Sequence, residues 1–300
     1  MKVGNSAGLR ELIMNYVATS SAVTRIGSID ADSPPEDLRD TVLSLITHGY
    51  AIVKMTSMAQ RAVWSALDEI SRTLEDMRAD FCFPDRTDGF LPKGGEHAKY
   101  TDNVDLCDRF CYWHKHRSLH TGHPFVEALA YQNIAKSETE LSSFAQRLID
   151  GLWDFFRNDD HVSIRDSSYL QLCLYESSYH EDGRTYLQDR HEDGHLITLI
   201  KPTRDGLVIF LNDREVSVHL ADDEVIVITG SLLTMLSDGR IPTMYHAVRK
   251  PKMELARSSL VYFAIPDLRH SYTTLLGKDR INIAEFADES HRAFGNTPLI

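Results

Sequence analysis

Apolar positions change their spacing halfway along this chain. Leu9, Leu12, Ile13 and Val17 recur at helical intervals near the N-terminus. Ser33-Pro34-Pro35-Glu36-Asp37 reads as a helix start, with Ser33 at the N-cap and acids in the first turn. The predicted helix runs through Leu38, Val42, Leu43 and Ile46 and stops near Gly49. Residues 50–53 then form a short apolar strand, and residues 59–79 a second helix. Residues 83–103 are rich in Gly, Pro, Asp and Lys and read as a long loop. His123-Pro124 opens another helix, and residues 137–156 give a long amphipathic one.

From Ser168 onward the pattern differs. Short apolar runs at 169–175, 196–200, 207–211, 216–220, 224–229, 232–236 and 259–265 alternate with turns. Asp205-Gly206 and Asp238-Gly239 are turn signals between them. Many short strands at near-regular spacing predict a sandwich or jelly roll. Residues 283–294 return to helical spacing. No internal repeat and no Pro- or Ser-rich linker interrupts the chain. The expected fold is mainly β with flanking helices, as one domain over residues 1–300. Its helical part spans about 1–165, its metal-binding jelly roll about 166–268, and its C-terminal helix about 283–294.

Composition narrows the class of function. The chain has 300 residues, 44 acidic against 32 basic, and a net charge of −12. An acidic chain without a basic run is a poor nucleic-acid binder. No stretch is long and apolar enough for a membrane span, and the first residues lack the apolar run of a signal peptide. Cys82, Cys107, Cys111 and Cys173 form neither a CxxC pair nor a disulfide framework. A cytoplasmic protein acting on a small molecule is expected.

The chemistry concentrates in Asp189-Arg190-His191-Glu192-Asp193-Gly194-His195. One reading is HExxH: on a helix, His191 and His195 would bind zinc and Glu192 would act as the base of a peptidase. Gly194 inside that helix costs about 1 kcal/mol against Ala, and the Leu196-Ile197-Thr198-Leu199-Ile200 run that follows favours a strand. The other reading is HxD on a strand, where residues i and i+2 share a face. His191 and Asp193 then present an imidazole and a carboxylate to one space. His246, which follows the Asp238-Gly239 turn and precedes Ala247-Val248, is a suitable third ligand. Two histidines and one carboxylate on one face of an octahedral metal leave positions open for a co-substrate and dioxygen, as in non-haem iron(II) oxygenases. Taken alone, HxD is a weak motif and often only a polar strand end.

The residues around the motif sharpen it. Leu172-Cys173-Leu174-Tyr175, His191-Glu192-Asp193 with Leu196, Thr198 and Leu199, and Gly206-Leu207-Val208-Ile209-Phe210 occur in that order. Gly230, Leu232, Ser237-Asp238-Gly239 and Arg257-Ser258-Ser259 follow. Upstream lie His48-Gly49-Tyr50-Ala51-Ile52-Val53 and Gly89-Phe90-Leu91-Pro92. In order and spacing this series resembles the isopenicillin N synthase-like iron(II)/2-oxoglutarate oxygenases, over roughly residues 35–268. Cys173 and Ser231 depart from the family's usual Asn and Asp, and its N-terminal Pro-rich strand is not evident. The resemblance implies a double-stranded β-helix core. It implies iron(II) on His191, Asp193 and His246, with 2-oxoglutarate and O2 as co-substrates and ascorbate as an aid in vitro. It also implies that Arg257, Ser259 and Tyr175 hold 2-oxoglutarate.

The expected reaction is oxidation of an unactivated C–H bond, by hydroxylation or by desaturation or ring closure such as cyclopropane formation. Tyr100, Arg109, Tyr112, Arg184 and Phe263 are candidate substrate contacts. Their basic members point to an amino acid or an amino-acid-derived product of secondary metabolism. The alternatives are an iron oxidase of the same fold that dispenses with 2-oxoglutarate, a non-catalytic β-sandwich binding protein, and the zinc peptidase. Among His114, His116 and His120 only His116 and His120 have a helical HxxxH spacing, and all three are expected at the surface.

Overall fold

The computed structural model describes residues 25–28, 38–99, 101, 103–176, 183–250, 256–277 and 279–299. The expected helix near Leu9–Val17 and the Ser33 cap lie outside the described residues, as does Tyr100. Helix α1 (Arg39–His48) ends at Gly49, whose φ of 77° is the left-handed C-cap conformation that favours glycine. Helix α2 (Ser57–Ser71) starts at Thr56, whose hydroxyl accepts from the Ala59 amide. The single helix expected over 59–79 is two, because a break at 72–74 precedes α3 (Glu75–Asp80). Helix α4 (Leu129–Phe156) begins earlier than its apolar pattern indicates, after a 3-10 turn at Pro124–Glu127.

Strands β1 (Arg25–Ser28), β2 (Tyr50–Lys54), β3 (Cys82–Phe83), β4 (Asp88–Leu91), β5 (Asp108–Trp113) and β6 (Tyr169–Tyr175) come from the first part of the chain. Then follow β7 (Tyr186–Glu192), β8 (Ile197–Pro202), β9 (Leu207–Leu211), β10 (Arg214–Ser217) and β11 (Glu224–Thr229). The last are β12 (Tyr245–Arg249), β13 (Arg257–Ala264), β14 (Ser271–Thr273) and β15 (Arg280–Asn282). Nine strands make one sheet in the order β1-β2-β11-β8-β13-β6-β5-β4-β3; β10-β9-β12-β7 make a second. Apart from the parallel β1–β2 pair, both sheets are antiparallel. This is the jelly roll with flanking helices that the strand count predicts.

Two differences from expectation have clear causes. The apolar run 232–236 is not a strand but helix α5 (Ser231–Leu236), because Leu232, Leu233 and Leu236 recur at helical spacing and all three are buried. The expected loop 83–103 contains β4, which pairs with β5 and extends the large sheet. The first half is therefore not merely a helical annex.

Alternation divides the large sheet's side chains between two cores. Phe110, Tyr112, Leu170, Leu172, Leu199 and Tyr262 face the helices, where Val63, Leu67, Ile134, Leu141, Leu148 and Leu152 cover them. Tyr169, Cys173, Tyr175, Ile200, Val261 and Phe263 face the small sheet and meet Leu187, Leu207, Ile209 and Val248. The site lies in this second layer. The His114–His120 segment is not all surface. The buried carboxylate of Asp88 lies 2.8 Å from His120 Nε2 and 3.0 Å from His116 Nδ1, so these rings serve as its partners.

Candidate metal centre

His191 and His246 are cross-strand neighbours on β7 and β12, with ring centroids 4.2 Å apart. Asp193 follows one residue beyond the end of β7. His191 Nε2 lies 3.9 Å from Asp193 Oδ1, and His246 Nε2 lies 3.9 Å from Asp193 Oδ2. One ligand atom from each of the three falls within 4.8 Å of the others. The segment is a strand and then a turn, so the helical HExxH geometry is absent. Glu192 pairs with Lys99 at 3.2 Å, and His195 packs edge-on against Phe263 at 4.9 Å, outside the triad.

The surroundings set each group for metal binding. His191 Nδ1 lies 2.7 Å from the Asp189 carbonyl and donates to it, which fixes the ring with Nε2 towards Asp193. Burial, aided by His191, holds the His246 imidazole well below its usual pKa, which keeps it neutral as a ligand must be. Thr198 Oγ1 donates to Asp193 Oδ2 at 2.6 Å and fixes the carboxylate. The Asp193 carbonyl accepts from the Ser231 amide at 2.8 Å, which ties the turn to the start of α5. Gly194 lies under the C-terminal helix α6 (Ala284–Ala293): a Cβ there would sit 1.8 Å from Ser290 Oγ. Gly230 has the same character, since its Cβ would lie 2.2 Å from the His195 carbonyl oxygen.

Two cavities meet at this centre. The first is lined by His191, Asp193 and His246 and also by Tyr175, Arg257 and Ser259. Arg257 and Ser259 are i and i+2 on β13, so both point inward. Arg257 is buried; its Nη1 donates to Ser259 Oγ at 2.8 Å, and its guanidinium stands 4.9 Å from the Tyr175 ring centroid. Arg257 Nη2 is buried with no protein partner among the described residues. A cationic donor left open beside a carboxylate–imidazole cluster fits a dicarboxylate that spans the two. The Tyr175 hydroxyl donates to Gln188 Oε1 at 2.5 Å, and Gln188 Nε2 donates to Asp105 Oδ2 at 2.9 Å.

The second cavity shares His191, Asp193, Gln171, Gln188 and Phe263 with the first and adds Glu96, Asp105, His291, Phe294 and Asn296. Gln188 and His191 reach the same space despite odd spacing, because three steps on β7 oppose two on β12. Such a bulge re-aims side chains. Of the candidate substrate contacts, Phe263 lines both cavities. Arg109 is buried behind the second one, paired with Glu96 at 3.0 Å and with Asn296 at 2.9 Å. Tyr112 faces the helices and packs against Tyr131, and Arg184 donates to the Val104 carbonyl at 2.8 Å. Neither lines a cavity at the triad. Sequence reasoning missed Gln171, although the alternation Tyr169, Gln171, Cys173, Tyr175 puts it on the face that carries Tyr175. Glu96, Asp105 and Asn296 carry no such signal.

Residues 167–266 match the 2OG-Fe(II) oxygenase superfamily, a stretch that runs from just before β6 through β13 and contains the triad and Arg257. Residues 167–266 thus carry an iron(II)/2-oxoglutarate oxygenase domain, which the fold and the donor set also fit. No curated protein matches the chain. Among solved structures it is similar to a full-length Neurospora crassa protein in complex with alpha-KG, with a TM-score of 0.70 and 15% identity over 89% of this chain and 95% of that one. JOX2 in complex with 2OG, Fe and JA gives a TM-score of 0.65 and 15% identity over 86% and 84%. The rice dioxygenase for auxin oxidation gives 0.62 and 14% over 83% and 86%. At these identities the likeness is one of fold.

Proposed function

We propose that His191, Asp193 and His246 hold iron(II), and that Arg257, Ser259 and Tyr175 receive 2-oxoglutarate beside it. The observation that carries this reading is the shared lining of one cavity: the triad bounds it together with a buried guanidinium whose Nη2 has no protein partner among the described residues. The metal, with 2-oxoglutarate and O2, supplies oxidation of a substrate C–H bond, coupled to formation of succinate and carbon dioxide. The chain's own residues do the positioning. Thr198 holds the Asp193 carboxylate, and the Asp189 carbonyl holds the His191 ring. Arg257 pairs with the distal carboxylate of 2-oxoglutarate in the planar geometry to which guanidinium is suited. The buried walls exclude water.

The isopenicillin N synthase-like subfamily is the reading that the Arg257-x-Ser259 spacing supports. Hydroxylation is the default outcome, with desaturation or ring closure as variants of the same hydrogen removal. A small organic substrate suits the confined second cavity; the Neurospora crassa protein has been crystallised with thymine and JOX2 with JA. One catalytic domain and a reducing, cytosolic setting fit the four free thiols. An iron oxidase without 2-oxoglutarate would leave the open Arg257 Nη2 unexplained. The test is whether the chain binds 2-oxoglutarate only with iron(II) present and converts it to succinate. Binding without metal, or none with it, contradicts the proposal.

A further inference from the structure

The second cavity has an uneven charge inventory. Glu96 is satisfied: Oε1 meets Arg109 Nη1 and Asn296 Nδ2, both at 3.0 Å, and Oε2 accepts from Gln171 at 3.2 Å. Asp105 is not. Its Oδ2 accepts from Gln188, but its Oδ1 is buried with no partner among the described residues, and the residue is only 5% exposed. A buried carboxylate oxygen left unpaired is unfavourable. Two cations beside this lining are engaged, Arg109 with Glu96 and Lys99 with Glu192. His291 is held neutral by burial, pushed down to about 3. Tyr169, Phe263 and Phe294 supply aromatic wall beside the amides of Gln171, Gln188 and Asn296. An amino-acid substrate whose carboxylate seeks Arg109 would have to displace a buried ion pair.

We propose that this cavity receives the substrate and selects a compound bearing a cationic N–H donor, such as an amidinium, guanidinium or protonated amine, which donates to Asp105 Oδ1. This rests on the triad being the reacting centre. The donor end anchors at Asp105 while the apolar part lies among the aromatic rings, next to His191 and Asp193. The selectivity opposes substrates that bring a second carboxylate to this wall.

Benzamidine, benzamide and benzoate form a matched set with similar shape and different charge. The full chain, loaded with manganese(II), is titrated calorimetrically with each, with and without 2-oxoglutarate, and 2-oxoglutarate binding is measured separately. Benzamidine is expected to bind at least about tenfold more tightly than benzamide, with benzoate weakest. Asp105→Asn, nearly isosteric, is expected to abolish that preference while leaving 2-oxoglutarate binding unchanged. Equal or tighter binding of benzoate, binding by none of the three, or a preference that survives Asp105→Asn would overturn the proposal. Should the variant not fold, the wild-type ranking decides alone. Failure to bind 2-oxoglutarate counts against the iron/2-oxoglutarate reading, and the ranking on metal-loaded protein still decides this one.

Discussion

Thr198 shows how much of this centre depends on a single hydroxyl. Its Oγ1 donates at 2.6 Å to the Asp193 oxygen that faces His246. Thr198→Val keeps the volume and removes the donor. Iron(II) affinity should fall roughly 10–100-fold, the usual effect of losing an outer partner of a ligand, as measured by competition with a chelator. Unchanged affinity would mean that the carboxylate is oriented by the backbone alone. At this scale the sequence was partly legible. HxD before a β-branched run placed His191 and Asp193 on one face without the fold. Arg257 and Ser259 share a face by the same period of two. The neutral state of His246 and the open oxygen of Asp105 depend on burial by distant segments, which spacing does not encode.

Among the elements, α6 is the one that sequence connects least to the site. It reaches the HxD turn through Ser290, and Gly194 is small because this helix lies over it. Gly194→Ala places a methyl within 1.8 Å of Ser290 Oγ, so helix or turn must shift. Overpacking of this kind costs about 1–3 kcal/mol. A Tm lowered by several degrees is expected, with weaker metal binding because the turn carries Asp193. A Tm equal to wild type would show that α6 yields freely. Gly194 opposed the helical HExxH reading by propensity, but the reason for a glycine appears only when α6 is in place. The departures at α5 and β4 share a cause. Elements of six and four residues are too short for period alone to decide, and tertiary packing settles them.

For the whole molecule, the second core layer buries titratable groups of both kinds. His195 and His291 are each pushed down to about 3 by burial, and His246 well below 6.5. Asp105 is pushed up to about 6 by burial and by Glu96. Below pH 6.5 the unfolded chain takes protons on these histidines that the folded chain refuses, so acidification weakens the fold. Each group contributes up to about 1.4 kcal/mol per pH unit until its folded pKa is reached. Asp105 acts oppositely between about 6 and 3.8, where the folded chain holds the extra proton. Three histidines outweigh one carboxyl. The metal-free protein should lose stability to urea steadily as pH falls from about 6.5 towards about 4, and a flat profile would contradict these burials. The two-layer jelly roll that buries the groups was legible from strand count and turn signals. Which strands form which sheet was not, because pairing joins segments far apart, such as β5 with β6.

The central claim is that one cavity joins an iron centre to a dicarboxylate site. Anaerobic calorimetric titration of 2-oxoglutarate into wild type, His246→Ala and Arg257→Ala, each with and without iron(II), tests it most directly. Binding at one equivalent is expected in wild type only with iron(II). It should be lost in His246→Ala and weakened by about tenfold or more in Arg257→Ala. Binding that ignores iron(II), or that survives both substitutions intact, would contradict the claim.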